Sequence, residues 1–435
     1  MAYTSSGRLP IERASKIGHV KIIRDPVVQR LVEAFERTDE DPREFVVELS
    51  GHAALDQAGE VENVVAIDGS HAAIPNSLKS YKKLAFVTAS ALLIRRAEVA
   101  AMKANPIVDP RELAESLQGR VENIVWALPL SGVVTPGQTV LASIRQSIDH
   151  ALRHWDLYDT LQFLVSREWL PEFEMDAHMG CIGCGRDFVL PRSAKRFDCP
   201  HCMTPHTLAD YLSLVSGPPE DWATEDVAIN LRTIFETLLL LRFLVRYRDR
   251  PILRRTVFVK DGPLLLRAQL SRLVEPIRAF FSYLNEQGRP VYVVGIEKTG
   301  DLVEHIPLIA KTLMEPGDYF LPSVAYLHER IQGVPFVAAD YRNRVQYGAK
   351  VVVRLGPQHT VAFNVPTGEF TTEPQVDGLY GFPISMSILS EMLSHRYENA
   401  LVPLVLVNQM ASISQTPSTD ILQSFARRLL VDGFR

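Results

Sequence analysis

The residues best suited to chemistry are four cysteines and a set of acids at the ends of apolar runs. The cysteines form two pairs, Cys181-Ile182-Gly183-Cys184 and Cys199-Pro200-His201-Cys202, with fourteen residues between them. Each Cys-x-x-Cys turns two thiolates to one side of a tight knuckle, and two knuckles make a tetrahedral four-sulfur site that suits Zn2+. Gly183 and Gly185 permit the turns this needs. His201 lies between ligands and is not expected to be one. Four protein ligands leave no open coordination position, so this zinc ribbon is expected to be structural, with on the order of 10 kcal/mol of metal-coupled folding energy. DNA, RNA and protein are all open as what the ribbon touches.

The acids point to a second kind of chemistry. Asp68 follows the buried-strand run Val64-Val65-Ala66-Ile67 and precedes Gly69-Ser70. A carboxylate at the end of a core strand is held by rigid backbone and is well placed to ligate a metal. Asp-Gly is also a simple turn. Asp261 ends the run 256–260 and opens Asp261-Gly262-Pro263, which can equally be a chain reversal. Glu236 shares a helical stripe with Ile229, Leu240 and Phe243. A charge on that stripe is expensive unless paired or metal-bound, or it reaches out to solvent at a boundary. Asp340, after the apolar run 334–339, is a rival ligand, with Asp301 and Glu297 further out.

Two strand-end acids and one on a sheet-facing helix would hold Mg2+ or Mn2+ through hard oxygen ligands. Such ions activate water and stabilise the leaving oxygen of a phosphodiester. Lys298, after the run 291–296, could hold a phosphate as a point charge, with Ser70 beside the acids. Lys79, Lys82 and Lys83 with Tyr81, and Arg95 with Arg96, could line a DNA path. All of these lysines and arginines also read as solvated charges.

The elements that must position these residues alternate in type. Strands are expected at 64–68, 121–130, 256–260, 291–296, 334–339, 350–355 and 360–364. Helices are expected at 26–37, 143–165, 225–248, 264–285, 303–314, 385–397 and 419–430. Residues 84–99 read as two strands or as a strand passing into a helix, and 401–407 is an apolar run. This alternation predicts an α/β fold interrupted by the ribbon; the acid cluster is the arrangement used by nucleases of ribonuclease H-like architecture, a mixed sheet with flanking helices.

Composition narrows the partners. Of 435 residues 46% are hydrophobic and 22% charged, and the formal net charge is −5. A strongly basic DNA-coating protein is excluded; nucleic acid would need a local basic groove or a divalent ion. The run Leu238-Leu239-Leu240-Leu241 is cut by Arg242 and is too short to span a membrane. Residues 1–13 are polar, so no secretory leader is expected, and clustered cysteines suit a reducing cytoplasm. No Gly-x-x-x-x-Gly-Lys-Ser/Thr loop is present, so any motor activity must come from a partner.

Ala66-Ile67-Asp68-Gly69-Ser70, Phe258-Val259-Lys260-Asp261-Gly262-Pro263-Leu264 and Val294-Gly295-Ile296-Glu297-Lys298-Thr299, in that order, resemble the NurA nucleases, partners of the hexameric ATPase HerA in DNA end processing. The likeness covers residues from about 60 to 105 and 225 to 430. It implies a metal-dependent 5′ to 3′ exonuclease and single-strand endonuclease, a homodimer docked on a HerA-type ATPase, and a role in DNA repair or antiviral defence. It implies metal binding by Asp68, Asp261 and Glu236. Where the family has a C-terminal histidine, this chain has Asn408, which could ligate through its amide oxygen; His395 or His359 could stand in. The alternative is a non-catalytic DNA-binding or ATPase-docking subunit that keeps the nuclease fold. The implied organisation is an N-terminal helical and dimerisation segment (1–60), the first part of the nuclease domain (61–170), the ribbon insertion (171–215) and the second part (216–435).

Overall fold

The computed structural model describes residues 24–34, 47–74, 82–104, 119–172, 177–192, 195–215, 225–336, 342–394 and 401–412. Lys79, Tyr81, Asp340, His395 and the helix expected at 419–430 lie outside the described residues. Two compact units are present, 1–46 and 47–435. In the first, helix α1 (Pro26–Glu33) is capped by Asp25, whose carboxylate accepts from the Val27 and Val28 amides, and no residue of α1 is buried.

The second unit is built on a nine-stranded mixed sheet. In chain order its strands are β1 (Gly51–His52), β2 (Asn63–Ile74), β3 (Leu84–Arg95), β4 (Val121–Pro129), β9 (Thr256–Asp261), β10 (Tyr292–Glu297), β11 (Asp318–Phe320), β12 (Gly348–Gly356) and β13 (His359–Pro366). Across the sheet they run β1-β11-β12-β13-β10-β9-β2-β3-β4. β2, β3 and β4 form an antiparallel meander. β9 lies parallel to β2, and β10 parallel to β9. From β10 outward every pairing is antiparallel. The strand Gly51–His52, read from sequence as part of the N-terminal segment, thus forms an edge of the main sheet.

The central strands read as unbroken apolar runs because helices cover both faces. On one face lies α5 (Glu225–Tyr247), against Val65, Ile67, Ala85, Val87 and Ala89. On the other lie α8 (Phe382–Met392) and α9 (Val402–Ala411), against Val64, Ala66, Val257, Val259 and Val294. The apolar run 401–407 is therefore the start of a helix, with Pro403 in its first turn, where a missing N–H is harmless. Residues 84–99 are β3 passing into α2 (Arg96–Ala104).

Three expected elements change form. The helix expected at 143–165 is two, α3 (Val140–His154) and α4 (Tyr158–Val165), because Asp156 takes a left-handed conformation with φ 53°. The helix expected at 264–285 starts late, as a 3-10 turn and then α6 (Val274–Glu286). Its first residues are engaged elsewhere: the Leu264 carbonyl accepts from the Tyr347 amide, and the Leu266 amide donates to the Val345 carbonyl. In the third case, 334–336 forms no strand; the preceding turn of π-helix (Leu327–Gln332) ends at Gly333, in the left-handed region. α7 (Asp301–Ile309) follows β10.

The ribbon is two small hairpins, β5 (His178–Gly180) with β6 (Asp187–Val189) and β7 (Arg196–Asp198) with β8 (Pro205–Thr207). Its Met179, Cys181, Phe188, Leu190 and Cys199 belong to the same core cluster as α5 and α6.

Gly295 shows how tightly the sheet is closed beside β9. A Cβ there would meet the Gly262 carbonyl oxygen at 2.7 Å and the Leu264 amide nitrogen at 2.9 Å. Both are backbone atoms and cannot swing aside. Gly295→Ala is expected to lower stability by about 1–3 kcal/mol, read as a shift in the urea midpoint; an unchanged midpoint would contradict the close approach.

Candidate active site and metal centre

Side chains alternate across a strand, and the two cores show which way each points. Val65 and Ile67 face α5, whereas Val64 and Ala66 face α9. Asp68 therefore points to the α9 side, Gly69 to the α5 side, and Ser70 follows Asp68. On β9, Phe258 faces α5 while Val257 and Val259 face the other way, so Lys260 turns toward α5 and Asp261 away from it. β2 and β9 run in parallel register with Ile67 opposite Lys260. Asp68 and Asp261 are the next residues on each strand and come side by side. Asp68 is not at a strand end, as the sequence suggested, since β2 runs on to Ile74 paired with β3. It stands where the β2–β9 ladder ends.

Asp68 is only 5% exposed. Its Oδ2 accepts from Asn408 Nδ2 at 2.7 Å and its Oδ1 from the Gly69 amide at 2.7 Å. Burial, then the charge of Asp261 and that of Glu236, push the Asp68 carboxyl up to about 6, against these two hydrogen bonds. Asp261 is nearer solvent, and its Oδ2 accepts from Lys298 Nζ at 2.9 Å.

Glu236 reaches the same strands from the opposite face. The missing side chain of Gly69 makes room for it: a Cβ there would lie 2.5 Å from Glu236 Oε1. Glu236 Oε2 is 3.0 Å from Lys260 Nζ, and Oε1 is 3.4 Å from Arg232 Nε. Lys260 Nζ also donates to the Asp261 carbonyl at 2.8 Å. Burial works against the Lys260 charge, but Glu236 holds its pKa above the usual lysine value. The three expected acids are thus two aspartates on one face and a glutamate, bound to a buried lysine, on the other. Among the described residues, the group of three or more metal-ligating side chains with ligand atoms all within 4.8 Å of one another is Cys181, Cys184, Cys199 and Cys202.

The Asp261 turn is clamped from two neighbouring strands. The Gly262 amide donates to the Ile296 carbonyl at 2.9 Å. The Leu264 amide donates to Asn364 Oδ1 at 2.8 Å, and Asn364 Nδ2 donates to Glu297 Oε1 at 2.7 Å. Glu297 also holds Lys350, so it is a brace of the turn, not a further ligand. Lys260 and Asn364 escaped the sequence reading. Lys260 alone carried a signal: it alternates with Asp261 and so falls on the face of Glu236. Asp301 starts α7, His359 starts β13, and Arg96 is paired with Glu391 of α8.

The four thiols converge from the two hairpin loops. Cys181 Sγ is 3.5 Å from Cys202 Sγ, and Cys184 Sγ is 3.8 Å from Cys199 Sγ. Gly185 and Met203, both in the left-handed region, close equivalent turns, each amide donating to the carbonyl four residues back, of Cys181 and Cys199. The Gly183 and His201 amides donate to Cys181 and Cys199 sulfur at 3.2 and 3.4 Å. Four sulfurs this close, with amide donors aimed at them, fit a four-coordinate thiolate-bound ion, of which Zn2+ is the natural choice.

No family model and no curated relative matches the chain. Among solved structures it matches the crystal structure of NurA, at 10% sequence identity over 97% of each chain and a TM-score of 0.28. A score that low does not establish a common fold. No helix among the described residues is long and apolar enough to cross a membrane.

Two outcomes follow from this geometry. An acid whose folded pKa, about 6, lies above its ordinary value of 3.8 binds its proton more tightly in the folded state. Its contribution to stability is present below about pH 4 and is lost as pH rises through about 6. Asp68→Asn removes that loss, so the variant is expected to be more stable than the native chain by on the order of 1–3 kcal/mol at about pH 7.5. Urea titrations should show the gap shrinking toward about pH 4.5; an equal gap at both would contradict the buried, crowded carboxylate. Metal removal should act globally. Because Met179, Phe188 and Leu190 sit in the main core, Cys199→Ser or chelation is expected to raise hydrogen exchange in α3 and α4 as well as in the hairpins. Faster exchange confined to 177–207 would show a detachable ribbon instead.

Proposed function

We propose that this chain is a divalent-metal-dependent phosphodiesterase acting on DNA. The observation that carries the reading is the pair Asp68 and Asp261, side by side on parallel central strands, with Asp68 pushed up to about 6 by burial and then by the neighbouring acids. Crowding of buried carboxylates is the electrostatic situation that a hard divalent ion relieves. The order β4-β3-β2-β9-β10, an antiparallel meander and then two strands parallel to its first, supports the ribonuclease H-like assignment.

The donor set fits Mg2+ or Mn2+: the Asp68 and Asp261 carboxylates on one face are hard oxygen ligands, and Asn408, whose Nδ2 donates to Asp68, has an amide oxygen to offer beside them. When bound, the ion supplies Lewis-acid stabilisation of the phosphodiester and an activated water. Asp68, Asp261 and Asn408 are the residues to hold it. Lys298, already drawn to Asp261, is free to swing to a phosphate oxygen when a cation takes over that carboxylate. Asn408 orients Asp68 through its Nδ2–H bond, in the place where the NurA resemblance expects a histidine. Glu236 and Lys260 form a neutral pair behind the strands. There Glu236 raises the Asp68 pKa and Lys260 fixes the Asp261 backbone.

The same contacts favour one other reading. Asp261 has a lysine, Glu236 a lysine and an arginine, and Asp68 an amide. Such a site is internally neutralised and would suit a non-catalytic DNA-binding or ATPase-docking subunit. Partnership with a HerA-type ATPase, a homodimer, 5′ to 3′ polarity and a role in end processing or antiphage defence rest on the sequence resemblance, and we propose them on that ground.

The test is cleavage of linear single- and double-stranded DNA with Mn2+ or Mg2+. Native protein is expected to cut, and Asp68→Asn or Asp261→Asn to lose on the order of 1,000-fold in rate, the worth of several kcal/mol of charge stabilisation. Undiminished cutting by both variants would move the active site elsewhere. A native chain that binds DNA and cuts nothing, with or without an ATPase partner, would establish the docking subunit.

A further inference from the structure

One buried side chain in the ribbon is used by neither the carboxylate site nor the four-cysteine set. His206, at the centre of β8, is 1% exposed. Its ring stacks on Phe197, with centroids 6.0 Å apart and planes 16° apart, and lies against Phe188. Its Nε2 is 3.4 Å from Cys181 Sγ. Its Nδ1 faces Asp210 Oδ2 at 3.6 Å. Asp210 is gripped by Arg145 of α3, Nε to Oδ1 at 2.7 Å and NH2 to Oδ2 at 2.7 Å, and accepts from the Thr207 amide at 2.8 Å. A line of polar groups therefore runs from one thiol of the metal centre, through a buried imidazole and a buried carboxylate, to a helix of the main core.

Chemistry fixes the direction of the first link. A metal-bound thiolate has no proton to give, so the bond to Cys181 exists only with the proton on His206 Nε2. A four-thiolate Zn2+ centre carries a net charge of about −2, and each N–H aimed at sulfur spreads that charge. The backbone already aims the Gly183 and Cys184 amides at Cys181, at 3.2 and 3.5 Å. His206 is the side chain that adds to them, and the aromatic pair around it leaves the ring little freedom to turn away. The carboxylate behind it, 3.6 Å from Nδ1 and outside hydrogen-bond range, backs the ring electrostatically, in the place where partners beyond the ligands act in metal sites generally.

We propose that His206 is a positioning residue of the four-cysteine metal centre, whose Nε2–H bond to Cys181 tightens metal binding and whose Asp210–Arg145 backing ties that centre to α3. This rests on the ribbon holding a metal. It is independent of the carboxylate site and of any nuclease activity. His201, inside the second knuckle, offers only its backbone amide, to Cys199. His206, four residues past the last cysteine, is the histidine that matters here.

The test uses full-length chain and Co2+, whose colour reports its thiolate ligands. Two variants separate hydrogen bonding from packing. His206→Phe fills the space between Phe188 and Phe197 without a donor, and His206→Gln keeps an amide N–H close to the position of Nε2. We expect His206→Phe to bind Co2+ about 10- to 100-fold more weakly than the native chain, with most of that loss recovered in His206→Gln. The sulfur-to-cobalt charge-transfer band of His206→Phe should move to longer wavelength, because a sulfur that loses an N–H donor holds its lone pairs less tightly. Native affinity and an unmoved band in His206→Phe would overturn the proposal, as would His206→Phe binding more tightly than His206→Gln. A native chain that binds no Co2+ would overturn the metal centre itself, a separate result. Should both variants fail to fold, the native chain loaded with 113Cd decides. Scalar coupling between cadmium and the His206 Hε2 proton, carried through the N–H···S bond, supports the proposal, and its absence overturns it.

Discussion

A buried carboxylate held beside a second, half-buried one imposes the main constraint on this molecule. Neighbouring like charges repel, and the burial of Asp68 adds to the penalty. Asp68 and Asp261 are nevertheless fixed there by rigid elements, because they continue the register of β2 and β9. Much of the local structure answers that repulsion. Asn408 donates to one aspartate and Lys298 to the other, while Lys260 neutralises the glutamate that approaches from behind. Holding the two acids together in this way costs stability.

The sheet is what keeps the acids from relaxing apart. β2 and β9 are covered on both faces, so a one-residue slip would exchange the side chains packed under α5 with those packed under α8 and α9 and force both cores to repack. The Asp261 turn is fastened in addition by Ile296, Asn364 and Tyr347, on β10, β13 and the approach to β12. Gly69 and Gly295 serve the same closure. One admits Glu236 and Arg232 to the sheet surface, and the other lets the turn cross β10. The cysteine centre braces the far side. It ties two hairpins to α3, and its apolar residues are continuous with the core beneath α5.

Much of this was legible in the residues. The Cys-x-x-Cys pairs announced their convergence, and the apolar runs before Asp68 and Asp261 announced central strands, because a buried strand needs nothing but its own composition to be seen. What could not be read was which face each acid takes and where backbone bonds lead. Glu236 correctly read as sheet-facing, yet nothing in its helix says that it lies across the strand plane from Asp68. The segment after Asp261 has a helical pattern, but its first carbonyl and amide pair with 345–347, a contact eighty residues away in sequence. Asp156 broke a helix that its apolar spacing carried straight through. His206 gave no signal in the sequence, because its burial and its Asp210 partner exist only after folding.

The central proposal is that Asp68 and Asp261 form one cation site, with Lys298 paired to Asp261 where the cation would bind. Crystals soaked in Mn2+ and measured for anomalous scattering address it most directly. The account predicts one strong peak between the Asp68 and Asp261 carboxylates, on the Asn408 side of the sheet, with Lys298 Nζ withdrawn from Asp261. No peak there under saturating Mn2+, with the Lys298–Asp261 bond intact, would contradict it.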